Sequence, residues 1–86
     1  MKYETFIERQ MKENGFNLIE ESDEIVVYER QQPEFVQVLE LGYRENGQHN
    51  ILSYQKGVNA DGHYNAVGLT LLEVRLAIRK MFDKDW

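Results

Sequence analysis

Asn46-Gly47 is the feature that most restricts what this chain can fold into. It sits between two stretches of β-forming residues, 35–44 and 49–56. Asn-Gly between alternating apolar runs is the strongest short hairpin signal, because both residues accept the positive φ of a type I′ turn. With Asn46 and Gly47 as a two-residue loop, Glu45 pairs with Gln48, Tyr43 with Asn50, Leu41 with Leu52 and Leu39 with Tyr54. That register places Phe35, Leu39, Leu41, Leu52 and Tyr54 on one face. It places Arg44 opposite an exposed His49, and Glu40 opposite Ser53, on the other. One apolar face and one mostly polar face is what a sheet covered on one side requires. Val36, Val38 and Ile51 then make the second face more apolar than a fully wet surface needs.

The flanking segments supply what covers such a sheet. Residues 2–14 read as a helix, with Tyr3, Phe6, Ile7 and Met11 along one face. Asn14-Gly15 ends it, since glycine accepts the left-handed conformation favoured after a helix, and Phe16 is placed to pack back on the last turn. Residues 16–20 and 25–30 read as strands joined by a turn at Ser22-Asp23-Glu24. Pro33 belongs in the next connection, because it has no N–H to give a ladder. Thr70 and Glu73 form a capping box that opens a second helix, with Leu71, Val74, Ile78, Met81 and Phe82 as its apolar stripe. Leu72 and Leu76 widen that stripe. The expected fold is α+β in the order α-β-β-β-β-α: a four-stranded antiparallel meander with two helices packed on one face. With 86 residues the chain forms one domain.

Composition removes several function classes. There is no cysteine, hence no thiolate nucleophile, disulfide or Cys-ligated metal. His49 and His63 lie 14 positions apart on different elements, unlike a helical zinc pair. No glycine-rich phosphate loop or serine-nucleophile motif occurs. Glu29, Glu34 and Glu40 fall on a one-sided sheet with little room for the cleft that paired-carboxylate chemistry needs. The sequence therefore points away from an enzyme, with no cofactor and no metal. No apolar run approaches the length of a membrane span, and the amino-terminal residues are acidic and amphipathic rather than leader-like. A cytoplasmic protein is expected.

Charge is the remaining signal. Residues 1–43 carry four bases and ten acids, whereas residues 44–86 carry six bases and five acids. The whole chain is at −5, which disfavours direct binding to nucleic acid. The densest acidic stretch is Glu20-Glu21-Ser22-Asp23-Glu24. Such a cluster is stable in water or against a cationic partner. Glu20, Glu21, Asp23 and Glu24, supported by Glu29 and Glu34, are the expected partner-binding residues. The partner would be a protein with a basic surface. A second reading is self-association as a homodimer through the last helix, where Arg75 and Arg79 flank Leu72 and Leu76, or through the polar sheet face.

Three resemblances bear on these readings. The stretch GVNADGHYNAVGLTLLE resembles the calcium loop and helix of a dockerin repeat, with Asn59, Asp61, Gly62 and Asn65 at positions that match. It departs at both ends, where Gly57 and Gly68 stand in place of carboxylates, so a turn-rich loop over 57–68 is the plainer expectation. The helix–sheet–helix outline is similar to a double-stranded-RNA-binding domain, but GLTLLEVR has no lysine pair opening the second helix. Finally, MKYETFIERQMKENGFNLIEESDEIVVYER resembles small acidic proteins of phages and mobile elements of Gram-positive bacteria, anti-CRISPR proteins among them. That resemblance implies an inhibitor or regulator of a nucleic-acid-handling host protein, with carboxylates standing where the target expects phosphates.

Overall fold

A computed structural model of the chain describes residues 3, 5–44, 46–57 and 63–83. Its elements run α1 (Thr5–Glu13), β1 (Asn17–Glu21), β2 (Ile25–Gln31), β3 (Val36–Tyr43), β4 (His49–Lys56), β5 (His63–Leu69) and α2 (Leu71–Asp83). The class is α+β. The sheet is antiparallel throughout, in the order β1-β2-β3-β4-β5.

The sheet has five strands, where the sequence led us to expect four. Half of the expected 57–68 loop is β5, paired with β4 through Ile51↔Ala66, Leu52↔Asn65 and Ser53↔Tyr64. Asn65 and Gly68 are poor strand residues in isolation. A neighbouring strand overrides that preference: Asn65 pairs with Leu52 in the ladder, the Gly68 N–H donates to Asn50 Oδ1 at 3.4 Å beside a register shift, and Tyr64 and Leu69 pack against the core. Asn59, Asp61 and Gly62, the central positions of the calcium-loop resemblance, lie outside the described residues.

The β3–β4 register also differs, by one residue. Leu41 pairs with Ile51, Leu39 with Ser53 and Tyr43 with His49. The Arg44 N–H donates to the Gln48 carbonyl at 2.8 Å and the Gly47 N–H donates to the Arg44 carbonyl at 3.0 Å, so the strands close at Arg44 and Gln48. The expected partner Glu45 lies outside the described residues. Gly47 takes a positive φ, of 84°. These bonds and the Gly47 φ fit the three-residue hairpin that ends in a glycine bulge, which Asn-Gly suits as well as it suits the two-residue loop. A shift of one reverses every side chain of β4. Ile51, Ser53 and His49 therefore face the core with Leu39 and Leu41, and Leu52 and Tyr54 turn to the far side. His49 is buried opposite Tyr43, not exposed opposite Arg44.

Both helices share one apolar cluster with the sheet. Ile7 and Met11 of α1 and Val74, Ile78 and Met81 of α2 meet Val26, Tyr28, Leu39, Leu41 and Ile51. Each fully buried aliphatic side chain contributes about 1.5–3 kcal/mol. Phe6 is not part of this cluster; it is exposed beneath the Arg75 guanidinium, 4.2 Å from its ring centre. Leu71, Leu72 and Leu76 are exposed too, so the inward stripe of α2 is narrower than its sequence suggests. On the far side of the sheet, Val27 and Val38 are buried outside the main cluster, with Tyr54 in register beside Val38.

The helix ends follow their sequence signals. The Phe16 N–H donates to the Met11 carbonyl and the Gly15 N–H to the Lys12 carbonyl, both at 3.0 Å, with Gly15 at φ 84°. This is the Schellman arrangement that glycine permits. The Thr70 N–H donates to Glu73 Oε1 at 2.8 Å and the Glu73 N–H to Thr70 Oγ1 at 3.2 Å, completing the capping box.

Candidate functional site

The acidic stretch forms the hairpin between β1 and β2, and one serine builds its turn. Ser22 Oγ accepts from the Glu24 and Ile25 N–H groups at 3.3 and 3.2 Å, while the Ser22 N–H donates to the Ile25 carbonyl at 2.9 Å. The Tyr43 N–H donates to the Glu24 carbonyl at 2.8 Å and ties the turn to β3. The backbone is thus held while the side chains of Glu20, Glu21, Asp23 and Glu24 all stand exposed.

These four acids share one end of the sheet but not one face. A bulge between Leu18 and Glu20 leaves Ile19 without a register partner. Leu18 lies opposite Tyr28 and Glu21 opposite Val26, both on the core side. Glu20 lies opposite Val27 on the far side. Asp23 and Glu24 occupy the tip, where they line a shallow depression with Tyr43, Arg44 and Asn46.

The two supporting acids do not join them. Glu29 is half-buried on the far side and accepts from Lys56 Nζ at 3.3 Å, an ion pair within the chain. Glu34 is exposed in the β2–β3 connection, beyond the other end of β2. Seven residues of strand separate that end from the tip, or about 20 Å.

Sequence reasoning missed the surface around the acids. Every residue of β1 is exposed, with Leu18 at 49% and Ile19 at 52%, on a strand with no further strand beyond its outer edge among the described residues. Between β1 and α1 runs a groove of about 550 Å³. Phe16, Leu18 and Tyr28 make its apolar floor; Glu8, Arg9, Lys12 and Glu21 stand along it. Arg30, a base of the acidic half, is spent internally: it donates to the Asn14 carbonyl at 2.9 Å and to Gln37 Oε1 at 2.7 Å, and lies 4.7 Å above the Phe16 ring. It therefore braces the back of the groove rather than neutralising the edge.

The second missed feature is a buried polar contact. Tyr3 Oη donates to the Gly42 carbonyl at 3.0 Å and lies 3.0 Å from His49 Nδ1. With its proton given to Gly42, the hydroxyl accepts from a His49 that carries hydrogen on Nδ1. The Tyr43 ring packs edge-on to the imidazole, 5.2 Å between centres. His49 is 7% exposed, and burial pushes its pKa below the usual histidine value. Burial, then the nearby Tyr28, push the Tyr3 hydroxyl up. Neither groove reaches this pair. It pins the segment before α1 to the sheet. The correct hairpin register was the one sequence signal that would have found it.

Among the described residues, no group of three His, Asp or Glu side chains converges to hold a metal ion. No described helix is long and apolar enough to cross a membrane. Compared with known proteins, the chain matches no family model, no curated protein and no solved structure.

Proposed function

We propose that this chain is a non-enzymatic protein-binding module that docks a basic partner against its β1 edge, as an inhibitor or regulator of a nucleic-acid-handling protein would. The reading is carried by one observation. Two exposed aliphatic residues, Leu18 and Ile19, lie with Glu20 and Glu21 on an edge strand, next to the exposed Asp23 and Glu24 of its turn and beside an apolar groove. Apolar contact supplies affinity at the centre of an interface, and surrounding charge steers encounter and selects the sign of the partner. The four acids cluster at one end of the sheet, so the basic surface they suit is a local patch of a few Lys or Arg side chains.

The test separates the edge from overall charge. Glu24→Lys and Glu34→Lys change net charge equally, in exposed turns beyond opposite ends of β2. Binding to a lysine homopolymer and to basic proteins captured from bacterial lysate is measured across a salt series. Glu24→Lys is expected to weaken binding about fivefold more than Glu34→Lys at low salt, with the gap closing as salt rises. Equal effects from the two substitutions would show that the edge has no special part.

A further inference from the structure

The outer side of α2 carries a second apolar patch, and its charge is opposite to that of the β1 edge. Leu72 and Leu76 are 60% and 55% exposed. Spaced one turn apart, they point away from Val74, Ile78 and Met81, which the core buries. Arg79 and Lys80 are exposed around them, and Arg75 lies beside them over Phe6. Glu73 is the only acid among the described side chains of α2, and it is engaged with the Thr70 N–H. A solvent-facing leucine pair ringed by cations is apolar area that a matching surface can remove from water.

The same chain has such a surface. Leu18 and Ile19 of β1 are exposed beside Glu20, Glu21, Asp23 and Glu24. Within one molecule the two patches do not meet, because α2 packs on β4 and β5. Three strand spacings of about 4.8 Å separate β4 from β1. Between two molecules they fit in sign and in apolar character. We infer that the chain self-associates head to tail, the outer face of α2 in one copy resting on the β1 edge of the next. Pairing α2 with α2 across a two-fold axis would instead bring Arg75, Arg79 and Lys80 of both copies to one seam, where like charges oppose contact. A head-to-tail contact leaves a free surface at each end, so it propagates into short chains. It also covers the edge assigned above to a basic partner. The inference rests on that reading of the edge, and makes assembly and partner binding mutually exclusive.

Sedimentation equilibrium of the full chain tests it, from about 5 µM to about 500 µM and at about 20 mM and about 500 mM salt. The weight-average mass is expected to climb with concentration beyond a dimer, less steeply at high salt. Leu72→Gln/Leu76→Gln and Glu20→Lys/Glu24→Lys should each abolish the climb. All four positions are exposed, and unchanged circular dichroism and melting confirm that the variants fold. An equimolar mixture of the two variants pairs the intact edge of one with the intact helix of the other, and should stop at a dimer. A wild-type chain that stays monomeric overturns the inference, and so does a Glu20→Lys/Glu24→Lys variant that associates like wild type. Lysine-homopolymer binding that is lost in Glu24→Lys while the wild type stays monomeric would remove the assembly and leave the edge reading intact. Its absence as well would remove both.

Discussion

The edge strand β1 and the β3–β4 hairpin are built from the same kind of ladder and are used oppositely. In β3 and β4 the side chains of Gln37, Val38, Leu39, Leu41, His49, Ile51 and Ser53 are all buried. In β1 none is. The β3–β4 hairpin supplies the core with its central residues, so its register admits a single solution. The edge strand β1 hangs on β2 by its backbone and by a serine-built turn, so its side chains are free of packing duty. A surface meant for another molecule needs that freedom, since residues that hold the fold cannot also be exchanged for contacts outside it.

The sharpest way to break this contrast is a pair of truncations followed by urea unfolding. Ile51→Ala should lower stability by about 2–5 kcal/mol, the range for emptying a packed core site. Leu18→Ala should change it by no more than about 0.5 kcal/mol. A large loss from Leu18→Ala would mean that β1 is held by its side chains after all.

Next in size is the buried hydroxyl. Tyr3→Phe leaves the ring in place but strips His49 Nδ1 and the Gly42 carbonyl of their partner, and should cost about 1–3 kcal/mol. The same site predicts a pH dependence. His49 binds its proton less readily folded than unfolded. Its contribution is therefore complete above the unfolded value of about 6.5. It is lost as pH falls from there toward the depressed folded value. Unfolding of the wild type and of His49→Asn at pH 5 and pH 7 should differ in slope, the wild type losing more on acidification. Parallel losses would show that the imidazole is not titrating in this window.

The smallest effect is expected at the start of α2. Thr70→Ala removes the hydroxyl that accepts from the Glu73 N–H and should cost about 1 kcal/mol. It should leave self-association unchanged, because the contact is assigned to the side chains of Leu72 and Leu76 and not to the cap. Reduced association in Thr70→Ala at unchanged helix content would place the cap inside the contact and blur the separation between scaffold and surface.

Local signals were legible where local chemistry decides. Thr70 with Glu73, Gly15 before Phe16, and Ser22-Asp23-Glu24 each announced the structure they form. The β3–β4 register was not, because Asn-Gly suits two loop geometries and only the packing of Ile51 rather than Leu52 selects between them. β5 was hidden because its Asn65 and Gly68 read as turn formers until β4 lies beside them. Phe6 has the spacing of a core residue and is instead a platform for Arg75. The acids were visible as a run; that Glu29 is tied to Lys56 and that Glu34 lies beyond the opposite end of β2 is information about three dimensions. So is the groove, whose floor joins Phe16, Leu18 and Tyr28 from separate elements.

Strand order in this sheet is simply chain order. Each ladder is made between neighbours in sequence, so closing any one of them brings together residues separated by a short stretch of backbone. Such contacts cost little chain entropy to form, and folds dominated by them cross a lower kinetic barrier than sheets that pair distant segments. A newly made chain can zip its sheet hairpin by hairpin, which shortens the time during which the outer strands meet strangers before they meet each other.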